Sequence, residues 1–144
     1  MAMDREIISV NSASLIKFNS TEDERGILTS IEGKRSIPFE IKRIFYMHHL
    51  KSDRGGHSHL DTDQIVIPIN GSFTVSIHDG KLKKSFFLDD CKVGLYIPRR
   101  LFTTLYDFAI DDVCLVLANT HYNKSKSQRN WRKFIDMKEK TEYA

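Results

Sequence analysis

Asn70-Gly71-Ser72-Phe73-Thr74-Val75-Ser76-Ile77-His78-Asp79-Gly80 is the stretch that decides the fold class. Phe73, Val75 and Ile77 alternate with Thr74, Ser76 and His78, so a strand here has one apolar face and one wetter face. Asn70-Gly71 before it and Asp79-Gly80 after it tolerate positive φ where a hairpin reverses, which links three strands locally. Working outward, short β-rich runs recur at 27–31, 41–47, 64–69, 85–88, 95–97, 103–108 and 113–118. Regular short strands separated by turns predict an all-β sandwich or barrel. Pro68 falls inside one of these runs and cannot donate to a ladder, so an edge or a bulge is expected there.

The stretch from Ser125 breaks the alternation. Ser127 is placed to cap a helix in which Trp131, Phe134 and Ile135 form an apolar stripe among Lys and Arg, packed on the barrel. With 144 residues, 40% of them hydrophobic, the chain suits one core, so residues 1–144 are read as a single domain with its core at 25–135 and about ten loose residues at each end. The net charge of +3 fits a phosphorylated small ligand better than a nucleic-acid surface, and the basic residues near 124–133 read as a solvated helix face. Cys91 and Cys114 form neither a disulfide framework nor a zinc pattern and read as reduced, buried thiols. No apolar run approaches the ~20 residues that cross a bilayer, and the first ten residues lack signal-peptide order; a cytoplasmic protein with no membrane partner is expected.

The chemistry concentrates in Arg54-Gly55-Gly56-His57-Ser58-His59. Residues two apart on a strand point the same way, so His57 and His59 would share one cavity. With an ordinary pKa near ~6.5, imidazoles take and return protons around neutrality. Two other readings stand beside this one. His57, His59 and Asp63 resemble the start of a metal site, although no further His follows in the 94–104 segment to complete the ligand set a divalent ion needs. The histidines are also explained as local hydrogen-bonding groups. Met47-His48-His49 adds two more that read as exposed loop residues.

Glu24-Arg25-Gly26, the run from Ile37 to Tyr46, the Arg-Gly-x-His-x-His segment, Gln64, Asn70-Gly71-Ser72 and Gly94-Leu95-Tyr96 occur in order over about 25–134. In this the chain resembles the sugar 3,4-ketoisomerases that act on dTDP-4-keto-6-deoxyglucose. The resemblance implies a cupin jelly-roll barrel with a short C-terminal helix, a homodimer, and an enzyme needing no metal or other cofactor. It implies movement of a carbonyl from C4 to C3 through an enediol, with His57 or His59 as the base. Tyr46 is the candidate to exchange protons with the sugar oxygens. Without a Gly-rich phosphate loop, the diphosphate falls to Arg25, Arg43 and Arg54, while Gln64 contacts the sugar or orients an imidazole. Leu60 and the run from Arg99 to Thr104 depart from the family pattern close to the expected pocket, which leaves the C4 configuration of the product open. A metal-dependent oxygenase and a non-catalytic nucleotide-sugar binder are the alternatives.

Overall fold

The computed structural model describes residues 7–143, with side chains through Lys140. Twelve strands and one α-helix run in the order β1 (Ser14–Lys17), β2 (Asn19–Asp23), β3 (Gly26–Ser30), β4 (Arg43–Met47), β5 (Arg54–His59), β6 (Gln64–Asn70), β7 (Phe73–His78), β8 (Lys83–Leu88), β9 (Val93–Ile97), β10 (Phe102–Tyr106), β11 (Val113–Ala118), β12 (Ser127–Gln128) and α1 (Trp131–Tyr143). One five-stranded sheet has the order β1-β9-β6-β11-β4, the facing sheet has the order β12-β5-β10-β7-β8, and β2 pairs only with β3. All the pairings between named strands are antiparallel. This is the jelly-roll barrel with a C-terminal helix that the resemblance implies.

The alternation read from 73–78 is what builds the core. Phe73, Val75 and Ile77 are fully buried between the sheets against Val66, Leu95, Cys114 and Val116. Each side chain of this size contributes about 1.5–3 kcal/mol on burial. The opposite face is drier than the pattern implied, since Ser76 is buried and His78 meets the Trp131 ring edge-on at 4.7 Å. A second cluster, Phe18, Ile37, Phe39, Ile65, Ile67 and Leu117, covers the outer face of the first sheet. The core therefore begins at Val10, earlier than 25, and residues 10–13 are held by Asp79, whose carboxylate accepts the Val10 N–H at 2.9 Å. The expected loose ends fall in part outside the described residues, at 1–6 and 144.

Two turn readings change. Asp79-Gly80 joins β7 to β8 as a hairpin, but Asn70-Gly71 carries the chain from β6 in one sheet to β7 in the other. Gly71 has φ +79°, and a Cβ on it would collide with the Asp112 carboxylate, so only glycine serves at this corner. Pro68 sits on the interior strand β6, beyond the residues that β9 pairs, and beside a register shift against β11; the expected bulge is there. Ser127 is not a helix cap. It lies in β12 opposite His59, and the helix is capped by Asn130, whose Oδ1 accepts the Lys133 N–H at 3.0 Å. Phe134 anchors α1 at 2% exposure, among Trp131 and Phe102. Cys114 is buried, which pushes its thiol up to about 12, but Cys91 is exposed. Among the described residues no helix is long and apolar enough to cross a membrane.

Candidate active site

β5 lies between β10 and β12 in its sheet and carries both histidines. Its sequence lacks apolar alternation, and its conformation depends on Gly55: φ is +84°, and a Cβ there would stand 2.7 Å from the Thr103 carbonyl oxygen. The β5–β10 register shifts between Thr103 and Thr104, a bulge that sets His57 opposite Thr103. Beyond it the strand rule holds. His57 and His59 face the same cavity, while Ser58 turns to the other side of the sheet and is buried.

The two rings meet edge to face, with centroids 4.6 Å apart and Nε2 to Nε2 at 3.0 Å. At that distance one ring nitrogen must donate and the other accept, since two bare lone pairs repel and two protons collide. The amide nitrogen of Gln64, buried at 7% exposure, is 3.2 Å from the same His59 Nε2, and Ser127 Oγ is 3.5 Å from His59 Nδ1. Burial holds both imidazoles below their ordinary value. For His57 a hydrogen bond to the Gly55 backbone opposes this, and the Arg129 and Arg54 charges add to it. His59 is pushed down to about 4, by burial first and then by His57, Arg43 and Arg129, with Asp61 opposing. Both rings are thereby neutral at pH 7, the state in which an imidazole can accept a proton.

The cavity they face has a volume of about 390 Å³ and is lined by Arg43, Arg54 and Arg129, by Phe45, and by the segments Asp61–Thr62 and His121–Asn123. A narrower extension of about 100 Å³ continues into the barrel past Gln64, Thr103 and Met47. Arg43 lies between two aromatic rings, its guanidinium carbon 5.3 Å from the Phe45 centroid and 5.5 Å from that of Tyr122. Its Nε is buried without a protein hydrogen-bond partner. A buried donor left unpaired is costly.

Of the residues singled out from sequence, His57, His59, Gln64, Arg43 and Arg54 converge here. Tyr46 does not. It pairs with Leu115 on the outer face of β4, 64% exposed and stacked loosely on His48, while its neighbour Phe45 points inward; strand parity placed by a single residue decides this. Arg25 is at the exposed tip of the β2–β3 hairpin, bonded to Asp23 at 2.6 Å, and lines no part of the cavity. His48 and His49 are exposed, as expected. Asp63 turns from the histidines to Arg99 and Asn119, and among the described residues no group of three His, Cys, Asp or Glu is close enough to hold a metal ion. Arg129, His121, Tyr122 and Ser127 were not singled out for chemistry; a polar cluster directly after β11 and a lone Arg after β12 were the only signals.

Comparison with known proteins supplies the family. The family model "FdtA: WxcM-like, C-terminal" matches residues 11–139. The TDP-4-oxo-6-deoxy-α-D-glucose-3,4-oxoisomerase of Aneurinibacillus thermoaerophilus is 36% identical over 126 residues, covering 84% of this chain and 91% of that one. QdtA, a sugar 3,4-ketoisomerase from Thermoanaerobacterium thermosaccharolyticum solved in complex with TDP, superimposes with a TM-score of 0.88 at 37% identity, over 92% of this chain and 98% of that one. A mutant of QdtA in complex with TDP-4-keto-6-deoxyglucose gives 0.86 at 38% identity, over 89% and 94%. With a matched span of this length and identities at this level, the chain belongs to the FdtA family of sugar 3,4-ketoisomerases.

Proposed function

We propose that this isomerase converts TDP-4-keto-6-deoxyglucose to a TDP-3-keto-6-deoxyhexose, with the His57–His59 pair carrying the protons. The observation that bears the reading is the pair itself: two neutral imidazoles, Nε2 to Nε2 at 3.0 Å, facing a cavity ringed by three arginines. The C3 hydrogen of a 4-ketosugar is acidified by the adjacent carbonyl, and a neutral imidazole removes it while O4 is protonated, giving the enediol. The O3 hydroxyl then loses its proton as the C3 carbonyl forms, and C4 takes one. No electrons leave the sugar, so the step balances with acid and base groups alone. Gln64 fixes the plane of His59, and Arg43, Arg54 and Arg129 hold the diphosphate, for which planar guanidinium groups are suited.

The working form is a homodimer in the cytoplasm, where free Cys91 and Cys114 remain reduced. Arg25 belongs to the substrate site in that form, the β2–β3 hairpin of one copy reaching the cavity of the other. Turnover in deuterated water tests the chemistry. Wild type should place deuterium on the sugar ring, and His57→Asn and His59→Asn should each lose ~10²–10⁴-fold in kcat. Product formed without label, or both variants turning over at the wild-type rate, would overturn the assignment.

A further inference from the structure

Asp63 lies four residues after His59 yet takes no part in the imidazole pair. Its carboxylate accepts the Arg99 backbone N–H at 2.8 Å, Arg99 Nε and Nη2 at 3.2 Å each, and Asn119 Nδ2 at 3.0 Å. Its own N–H donates to Asn119 Oδ1 at 2.8 Å, and its carbonyl accepts the Asn119 N–H at 3.3 Å. One residue before Asp63 and one after Asn119, the Thr62 and Thr120 hydroxyls are 2.6 Å apart. Three stretches distant in sequence, the β5–β6 loop, the turn after β9 and the end of β11, are thus tied at one point. From that point the chain continues into His121, Tyr122 and Asn123, all lining the cavity, and Tyr122 stacks on the Arg43 guanidinium.

We propose that Asp63 is a positioning residue for the reaction: by gripping Arg99 and Asn119 it holds the 119–123 segment as one wall of the substrate cavity, and so sets the affinity for the sugar nucleotide. This rests on the function proposed above. An ordinary structural ion pair would be loosely held and exposed, and worth little. Asp63 is instead 17% exposed in its side chain, bidentate to Arg99, and saturated by donors from two separate segments. Arg99, one of the departures from the family pattern, thereby acquires a role: it neutralises the carboxylate that organises the wall. Neither residue touches the space between the imidazoles, so the effect belongs to binding and leaves proton transfer alone.

The test compares wild type with Asp63→Asn, Arg99→Gln and the double variant, as full chains, at a temperature well below the melting point of each. KM and kcat for TDP-4-keto-6-deoxyglucose are measured beside the Kd of TDP by calorimetry. Each single change should raise KM and Kd about tenfold while kcat stays within about threefold. The double variant should be no weaker than the worse single, because both remove one interaction. Arg99→Lys, which keeps the charge but loses the fork, should fall between. KM and Kd unchanged in both single variants, or kcat lost at constant KM, would overturn the positioning role. If Asp63→Asn does not fold, the half-exposed Arg99→Gln decides alone. A wild type that neither binds TDP nor turns over would sink the proposed function and this inference together, whereas an active wild type with indistinguishable variants would sink only the inference.

Discussion

His57 and His59 differ from solvent imidazoles in a way that pH can read. Burial holds both below the ordinary value near 6.5, His59 down to about 4, with the neighbouring arginines adding to the effect. The neutral, proton-accepting form therefore persists below pH 6.5, for His59 down to about 4, and the acid limb of kcat/KM should fall below pH 6.5; a limb at or above 6.5 would contradict the shared buried site. The same shift acts on stability. As pH drops below 6.5 the unfolded chain takes up the proton before the folded one, so stability is full above 6.5 and declines between 6.5 and about 4. Denaturant midpoints measured across that window should show the slope, and His59→Asn should flatten it. At this scale the sequence was informative where parity alone decides, which is why His57 and His59 were found together. It misled at Tyr46, because nothing local distinguishes Phe45-in from Tyr46-in. Arg129 and Tyr122 were illegible, since they reach the cavity through tertiary turns that carry no motif.

Among the elements, eight strands were visible because they alternate or form continuous apolar runs, and four were not. β1 has four mostly exposed residues with Leu15 and Ile16 adjacent, β2 is polar and exposed, β12 has only two residues, and β5 is built of Arg, Gly, Ser and His. For β5 the deciding information is in a partner strand: the bulge against β10 and the close approach of the Thr103 carbonyl require glycine at 55. Gly55→Ala should therefore cost more than the ~1 kcal/mol of an unfavourable φ alone, seen as a lowered Tm. It should also cut kcat by about 10²-fold, because relief of the clash moves His57 against its partners and a displacement near 1 Å is enough for that. An alanine variant with wild-type turnover would show that the bulge does not set the ring positions.

For the whole molecule, the open matter is what covers the β2–β3 hairpin. It bonds to neither sheet, its residues are exposed almost throughout, and Ile27 and Leu28 on β3 are themselves 53% and 68% exposed. A two-stranded hairpin alone is marginally stable in water, so an uncovered one carrying two large apolar side chains is an incomplete structure. On β4, an edge strand, Ile44 and Tyr46 are also exposed, 59% and 64%, and unpaired edges of this kind are normally covered. On the function proposed above, a second copy of the chain would supply the cover and would at the same time give Arg25, stranded at the hairpin tip, a substrate to bind. Light scattering should return twice the chain mass for wild type. Leu28→Asp should shift it toward the single mass and lower turnover with it, since a charge replaces apolar surface at the contact. Arg25→Ala should keep the double mass and weaken TDP binding. A wild type with the single mass and full turnover at assay concentration would mean that the hairpin is exposed in the working enzyme and that Arg25 has no part in its site.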